Sequence, residues 1–186
     1  MLRQLTSAEV EQYIADDPVR PHLSAEFRTT NGRQVWGLFE DQYAVEHVPL
    51  DKPRAIICVA FAYDAPRDEH ELDIYSNSYA NAGPLSANTA VFYTVWSYGA
   101  GAGRQIVNTL AAHILNTRSE IERWVTLSPL TDMAARFHTK NGAQLRSVHD
   151  TCQVFESDKA RSAQRQIIQE AAKRYALNFY KRIPQL

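Results

Sequence analysis

Short β-rich apolar runs alternate along the chain with stretches of helical spacing, and their order predicts the architecture. Thr6 and Glu9 stand at capping-box spacing ahead of Val10, Tyr13 and Ile14, which predicts a short helix ending before Pro18. Residues 18–34 are rich in Pro, Arg and Thr without a period and read as irregular. Val35-Trp36-Gly37-Leu38-Phe39 predicts a strand, and Asp51-Lys52-Pro53 a turn. Ala55-Ile56-Ile57-Cys58-Val59-Ala60-Phe61 is apolar at every position, as a strand covered on both faces must be. The polar stretch 64–88, with five acids and His70, is longer than an ordinary connection and reads as a functional loop or as hiding a short helix.

Thr89 to Trp96 is a further β-rich run, and it breaks abruptly into Gly99-Ala100-Gly101-Ala102-Gly103-Arg104. Ile106, Leu110, Ala111, His113, Ile114 and Leu115 then carry helical spacing. Trp124-Val125-Thr126-Leu127 predicts a strand stopped by Pro129; residues 130–140 suit a helix ending at Asn141-Gly142. One or two strands fit within residues 144–155, and a long helix with Ala163, Ile167, Ala171 and Ala176 among its apolar positions fits residues 158–180. The order predicts a mixed α/β domain around one sheet. Its parts are an N-terminal helix and irregular segment (1–33), a core (34–156) and a C-terminal helix (157–186).

Composition narrows the function more than the fold. A chain of 186 residues with 45% hydrophobic and 22% charged residues is one ordinary globular domain. A formal net charge of −1 gives no basic footprint for nucleic acid, although 15 of the 20 basic residues are Arg. The longest apolar stretch, residues 55–63, is far too short to cross a bilayer, and Met1-Leu2-Arg3-Gln4 does not open a signal peptide. Two cysteines, Cys58 and Cys152, make no disulfide framework. Together these predict a reduced, cytoplasmic, soluble protein that binds neither nucleic acid nor membrane.

Three of the seven glycines fall between residues 99 and 103, where a strand gives way to a helix. Bare backbone N–H groups at the positive end of a helix suit a phosphate, and Arg104 can add a charged hydrogen bond. A flexible turn is the plainer alternative. No Lys-Ser/Thr follows for a Walker loop, and Arg104 stands where a dinucleotide fingerprint needs Gly. The loop resembles the acyl-CoA-binding loop of the GNAT acyltransferase superfamily, with Tyr98 near the place where that loop often begins with Gln or Arg. The resemblance implies a CoA pyrophosphate held by Tyr98, Gly99, Gly101, Ala102, Gly103 and Arg104.

Further on, Thr126-Leu127-Ser128-Pro129-Leu130 and Phe137-His138-Thr139-Lys140-Asn141-Gly142-Ala143 together resemble the catalytic domain of malonyl-CoA decarboxylase, itself GNAT-like. Pro53 to Phe61 and Thr89 to Thr94 are similar to the family's two preceding strands, so the likeness spans about residues 34–144. It implies a single GNAT-like α/β domain, with a mixed central sheet, a splayed strand pair and flanking helices. It implies a CoA thioester as substrate and no metal. It also implies conversion of malonyl-CoA, or a similar 2-carboxyacyl-CoA, to acetyl-CoA and carbon dioxide through an enolate. Carried over, Ser128 holds the departing carboxylate and His138 donates the proton, while Phe92 and Tyr93 lie on the strand that receives the thioester. Two other readings stand beside it: an N-acyltransferase moving an acyl group from CoA to an amine, and a CoA-binding module without activity.

Taken alone, Ser128 before Pro129 is also a good helix N-cap, and His138 an ordinary hydrogen-bonded histidine. A straight helix begun at Ser128 would carry His138 about 15 Å away, so the pair converges only if the helix starts late or folds back. Elsewhere, Tyr93, Trp96 and Tyr98 are candidates to line a pantetheine slot, and Arg118 and Lys140 to meet the CoA 3′-phosphate. His70 lies among acids without the spacing of a zinc site, and His113 reads as a packed or exposed helix residue.

Overall fold

A seven-stranded mixed sheet runs through the computed structural model, which describes residues 1–40, 52–82 and 87–157. In chain order the strands are β1 (Leu2–Gln4), β2 (Arg33–Leu38), β3 (Ala55–Ala62), β4 (Thr89–Ser97), β5 (Arg123–Pro129), β6 (Ala143–Val148) and β7 (Cys152–Ser157). The helices are α1 (Ser7–Glu11), α2 (Ala25–Thr29), α3 (Glu69–Ala82), α4 (Ala102–Thr117) and α5 (Asp132–Lys140), with a 3-10 turn at Ile14–Asp16. The spatial order is β1-β2-β3-β4-β5-β7-β6. Every junction is antiparallel except β4–β5. The predicted C-terminal helix lies outside the described residues.

All eight residues of β3 are buried, because helices cover the sheet on both faces. On one face Val35, Ile56, Cys58 and Val91 pack with Val10 and Leu72 under the first three helices. On the other, Ile57, Phe61 and Phe92 meet Ile106, Leu110 and Ile114, which follow one another at four-residue intervals along α4. Each such aliphatic side chain contributes roughly 1.5–3 kcal/mol on burial. The capping box at Thr6 and Glu9 starts α1 as expected, and the Thr6 backbone N–H, donating to its carboxylate, is the main reason the Glu9 pKa falls to about 2.

Three parts of the sequence reading need correction. A short strand, β1, precedes the first helix and pairs with β2, although three residues carry no readable alternation. The segment expected to be irregular contains α2, capped by the Ser24 hydroxyl, which accepts from Phe27 N at 3.1 Å. The polar stretch after β3 holds α3, fourteen residues rather than a loop or a short helix. Asp68 accepts from Glu71 N at its start, and Leu72 and Ser76 are its buried residues, so the core-facing stripe is too thin to stand out among the Asn, Ser and acidic positions.

Arg20, Arg28 and Arg33 are buried. Arg28, fully enclosed, sets its guanidinium 2.8 Å from Asp17 and donates to the carbonyls of Leu23 and Arg20 and to the Cys58 sulfur. Asp17 Oδ1 accepts from the backbone N–H of Val19 and Arg20, and the Thr94 hydroxyl donates to the same carboxylate at 2.9 Å. Segment 17–20 is thereby fastened to the middle of β4. Burial pushes the Cys58 thiol up to about 11, so it is an inert weak partner of Arg28 rather than a nucleophile.

Candidate active site

The β4–β5 junction comes apart partway along its length. Only Thr89 through Phe92 pair with Arg123 through Thr126. Beyond that point β4 stays on β3 and β5 stays on β7. The cause is a β-bulge: Phe92 opposes Val59 and Thr94 opposes Cys58, which leaves Tyr93 as the extra residue. Its carbonyl accepts from the Arg20 guanidinium instead of from a strand. The bulge bends β4 away from β5 and opens a cleft of about 240 Å³ between them. Among the described residues, no Asp, Glu, Lys or Arg lines this cleft; its walls are mostly apolar, with Phe92, Leu127, Met133 and Phe137 among them.

Ser128 and His138 meet on the cleft wall. Ser128 Oγ lies 2.6 Å from His138 Nε2 and 3.3 Å from Thr126 Oγ1. The convergence follows from where the helix begins. Thr131, not Ser128, is the N-cap of α5, its hydroxyl accepting from Ala134 N at 3.2 Å. The chain turns back through Pro129, Leu130 and Thr131, with Thr131 N donating to Pro129 O at 2.8 Å. Side chains on a helix lean toward its N-terminus, which brings the imidazole back to the serine. Asn141 closes α5 and Gly142 follows at φ 83°, the left-handed position glycine favours.

The His138 ring lies between two others, stacked on Phe155 with centroids 4.9 Å apart and edge-on to Phe137 at 5.2 Å. Burial lowers its pKa from 6.5 to about 4, so the imidazole is neutral at pH 7. A depressed folded-state value means the unfolded chain binds the extra proton. The resulting stability, about 3 kcal/mol in full, is present above pH 6.5 and is lost as pH falls toward 4. Urea unfolding across this window should show the loss in the wild type and a flatter profile in His138→Asn; parallel profiles would refute it.

The glycine loop enters α4 as the sequence predicts. Gly101 is the N-cap at φ 76°, Ala102 N donates to Gly99 O, and Gln105 N makes the first helical bond to Gly101 O. The N–H groups of Gly103 and Arg104 belong to the first turn, where no intrahelical acceptor is in reach. Gly103 lines the cleft beside Ser97, as do Phe92 and Tyr93. Arg104 is exposed and borders a smaller hollow behind His138, together with Asn141.

Other predicted positions fall elsewhere. The Tyr98 hydroxyl donates to Asp16 and accepts from Trp96 Nε1. Arg118 follows the last turn of α4, the end opposite the glycine loop, where it donates to the Tyr79 hydroxyl and pairs with Glu120. His70 is exposed near the start of α3, and His113 is exposed against Trp36. Among the described residues, no three His, Cys, Asp or Glu side chains gather as a metal site, and no helix is long and apolar enough to cross a membrane. The sequence reading missed Thr94, Arg20 and Gln153, polar residues whose importance lies in partners far away along the chain.

No protein-family model and no curated protein sequence matches the chain. Solved structures match in fold. Malonyl-CoA decarboxylase from Rhodopseudomonas palustris superposes with a TM-score of 0.59 at 15% identity, covering 91% of this chain and 62% of its own length. This chain therefore spans less than two thirds of that enzyme. GphF, a GNAT-like decarboxylase in complex with isobutyryl-CoA, gives 0.64 at 12% identity over 84% of this chain and 98% of its own. NAA60 from Arabidopsis thaliana, in complex with acetyl-CoA, gives 0.54 at 9% identity over 84% and 96%.

Proposed function

We propose a function that starts from the chain's GNAT-like fold, with the mixed sheet and splayed strand pair expected from its motifs. From this fold and the cleft we propose that the protein binds an acyl-CoA and decarboxylates malonyl-CoA or a similar 2-carboxyacyl-CoA. The observation carrying the reading is the 2.6 Å contact of Ser128 and His138 on the wall of a cleft opened by a splayed strand pair. Pantetheine takes the place β5 leaves beside β4, and its thioester oxygen faces backbone donors beyond Phe92. One preorganised donor of that kind contributes about 3–4 kcal/mol. The Ser128 hydroxyl and the His138 ring hold the carboxylate. The C–C bond breaks, its electron pair passes into the thioester as an enolate, carbon dioxide leaves, and the His138 ring, having taken up a proton from water beside the bound carboxylate, gives that proton to the α-carbon and is left neutral. Walls without charged side chains support this chemistry, because a carboxylate that has lost its water gains by becoming neutral carbon dioxide.

Purified protein incubated with malonyl-CoA should yield acetyl-CoA and carbon dioxide without an acceptor, as read by mass spectrometry. Free CoA formed from acetyl-CoA only when an amine is added would instead establish an N-acyltransferase. Bound CoA without turnover of either would establish a binding module. The pyrophosphate site is tested at Gly101. No atom lies within 4 Å of a β-carbon built there, so Gly101→Val meets only the strain of a positive φ, about 1–2 kcal/mol. The variant should fold, and its CoA affinity should fall about tenfold or more by calorimetry. Undiminished affinity would remove the loop from the binding site.

A further inference from the structure

We infer that β7 is the template of the Ser128–His138 pair, with Gln153 and Phe155 acting as positioning residues that fix the two ends of the contact. This rests on the proposed reading of the pair, but its geometry stands apart from any reaction. Gln153 is opposite Ser128 in the sheet register and is 7% exposed. Its amide Nε2 donates to Pro129 O at 2.8 Å and to Thr131 O at 3.3 Å, the two carbonyls that flank the turn between serine and helix. Two residues on, and therefore on the same face of the strand, Phe155 stacks on the His138 ring. One side chain thus sets where α5 begins, and the other sets where its seventh residue points. Neither is among the residues lining the cleft.

The placement explains a feature that local sequence does not. Ser128-Pro129 followed by Asp132 suits a helix begun at the serine, yet the helix waits until Asp132. A buried amide that spends both N–H groups on Pro129 O, which also accepts from Thr131 N, and on Thr131 O, which also accepts the first helical bond from Ala135 N, ties the turn and the N-cap to β7. Removing it leaves Pro129 O with Thr131 N and Thr131 O with Ala135 N but cuts both from β7, which lets the turn relax. The expected result is an imidazole displaced from the hydroxyl without loss of the cleft. A misplacement near 1 Å lowers turnover about 100-fold.

Gln153→Met keeps length and burial while deleting both donors; Phe155→Leu keeps an apolar side chain while deleting the stacked ring. Each is examined by ¹⁵N NMR of the His138 ring and by steady-state kinetics with malonyl-CoA. In the wild type the ring nitrogens should report one tautomer held by a strong hydrogen bond. In either folded variant that signature should give way to averaged tautomers, with kcat down about 10- to 100-fold and KM little changed. A wild-type ring spectrum in a folded Gln153→Met protein would overturn the inference, as would equal changes in kcat and KM. If the wild-type protein does not decarboxylate, the ring spectra alone still decide the template, so the two failures are told apart.

Discussion

His138→Asn should slow the release of carbon dioxide from malonyl-CoA at least about 100-fold, as expected when a positioned general acid is lost, while CoA still binds. Asparagine keeps a donor near Ser128 but cannot pass a proton to an enolate. The wild-type imidazole is neutral in the cleft because burial holds its pKa near 4. A substrate carboxylate beside it raises that value, since an opposite charge favours the protonated ring. Ser128→Ala removes the other half of the 2.6 Å contact and should reduce turnover together with His138→Asn rather than additively. Progress curves for the two single variants and the double variant test this. Wild-type turnover in His138→Asn would exclude the histidine from the chemistry and leave only the acyl-CoA cleft of the proposal.

Asp17→Asn should cost about 3–5 kcal/mol of stability, because it strands a buried cation. Its partner Arg28 is fully enclosed, and the two lie 2.8 Å apart. The comparison that gives this figure meaning is the Arg54–Glu40 pair, 2.9 Å apart with both side chains about a third exposed. Breaking that pair should cost no more than about 1 kcal/mol, since water and salt screen it. Thermal melts of Asp17→Asn and Glu40→Gln side by side test the contrast, and equal shifts would refute it. The Asp17 carboxylate also receives Thr94 and the backbone of Val19 and Arg20. Its loss should therefore loosen the cleft wall as well as the core, and CoA affinity measured on folded protein should fall with stability.

The fold was legible wherever burial writes a period into the sequence. Residues 55–61 are apolar throughout because both faces of β3 are covered, and the Ile106, Leu110, Ile114 repeat marks the side of α4 that meets the sheet. Capping chemistry was legible too, at Thr6 with Glu9 and at Asn141-Gly142. The helix α3 was not, since its core-facing residues are few among polar ones. Segment 18–34 was misread for a different reason. Its order comes from arginines whose guanidinium groups bond carbonyls, a carboxylate and a sulfur, and no local pattern announces such bonds. At the site, motif likeness singled out Ser128 and His138, and the glycines marked the start of α4. Whether the pair would meet depended on Thr131 and Gln153, one a capping residue next door and the other on a strand 25 positions after Ser128.

The half-paired junction of β4 and β5 also bears on how such a domain can change. Among the described residues, four register pairs, Thr89 to Phe92 with Arg123 to Thr126, make the ladder that joins the two parts of the sheet. Past Thr126 the facing edges exchange no rungs, so the width of the slot is set by the side chains that project into it. Substitutions at Val107, Leu127, Met133 or Phe137 can then reshape the cleft without disturbing a backbone ladder. The sheet thereby divides the work of heredity in two. One stretch is bound to its register, and an adjoining one is free to drift in size and shape, so that a cleft of new selectivity can arise while the frame that holds the serine and histidine together stays intact.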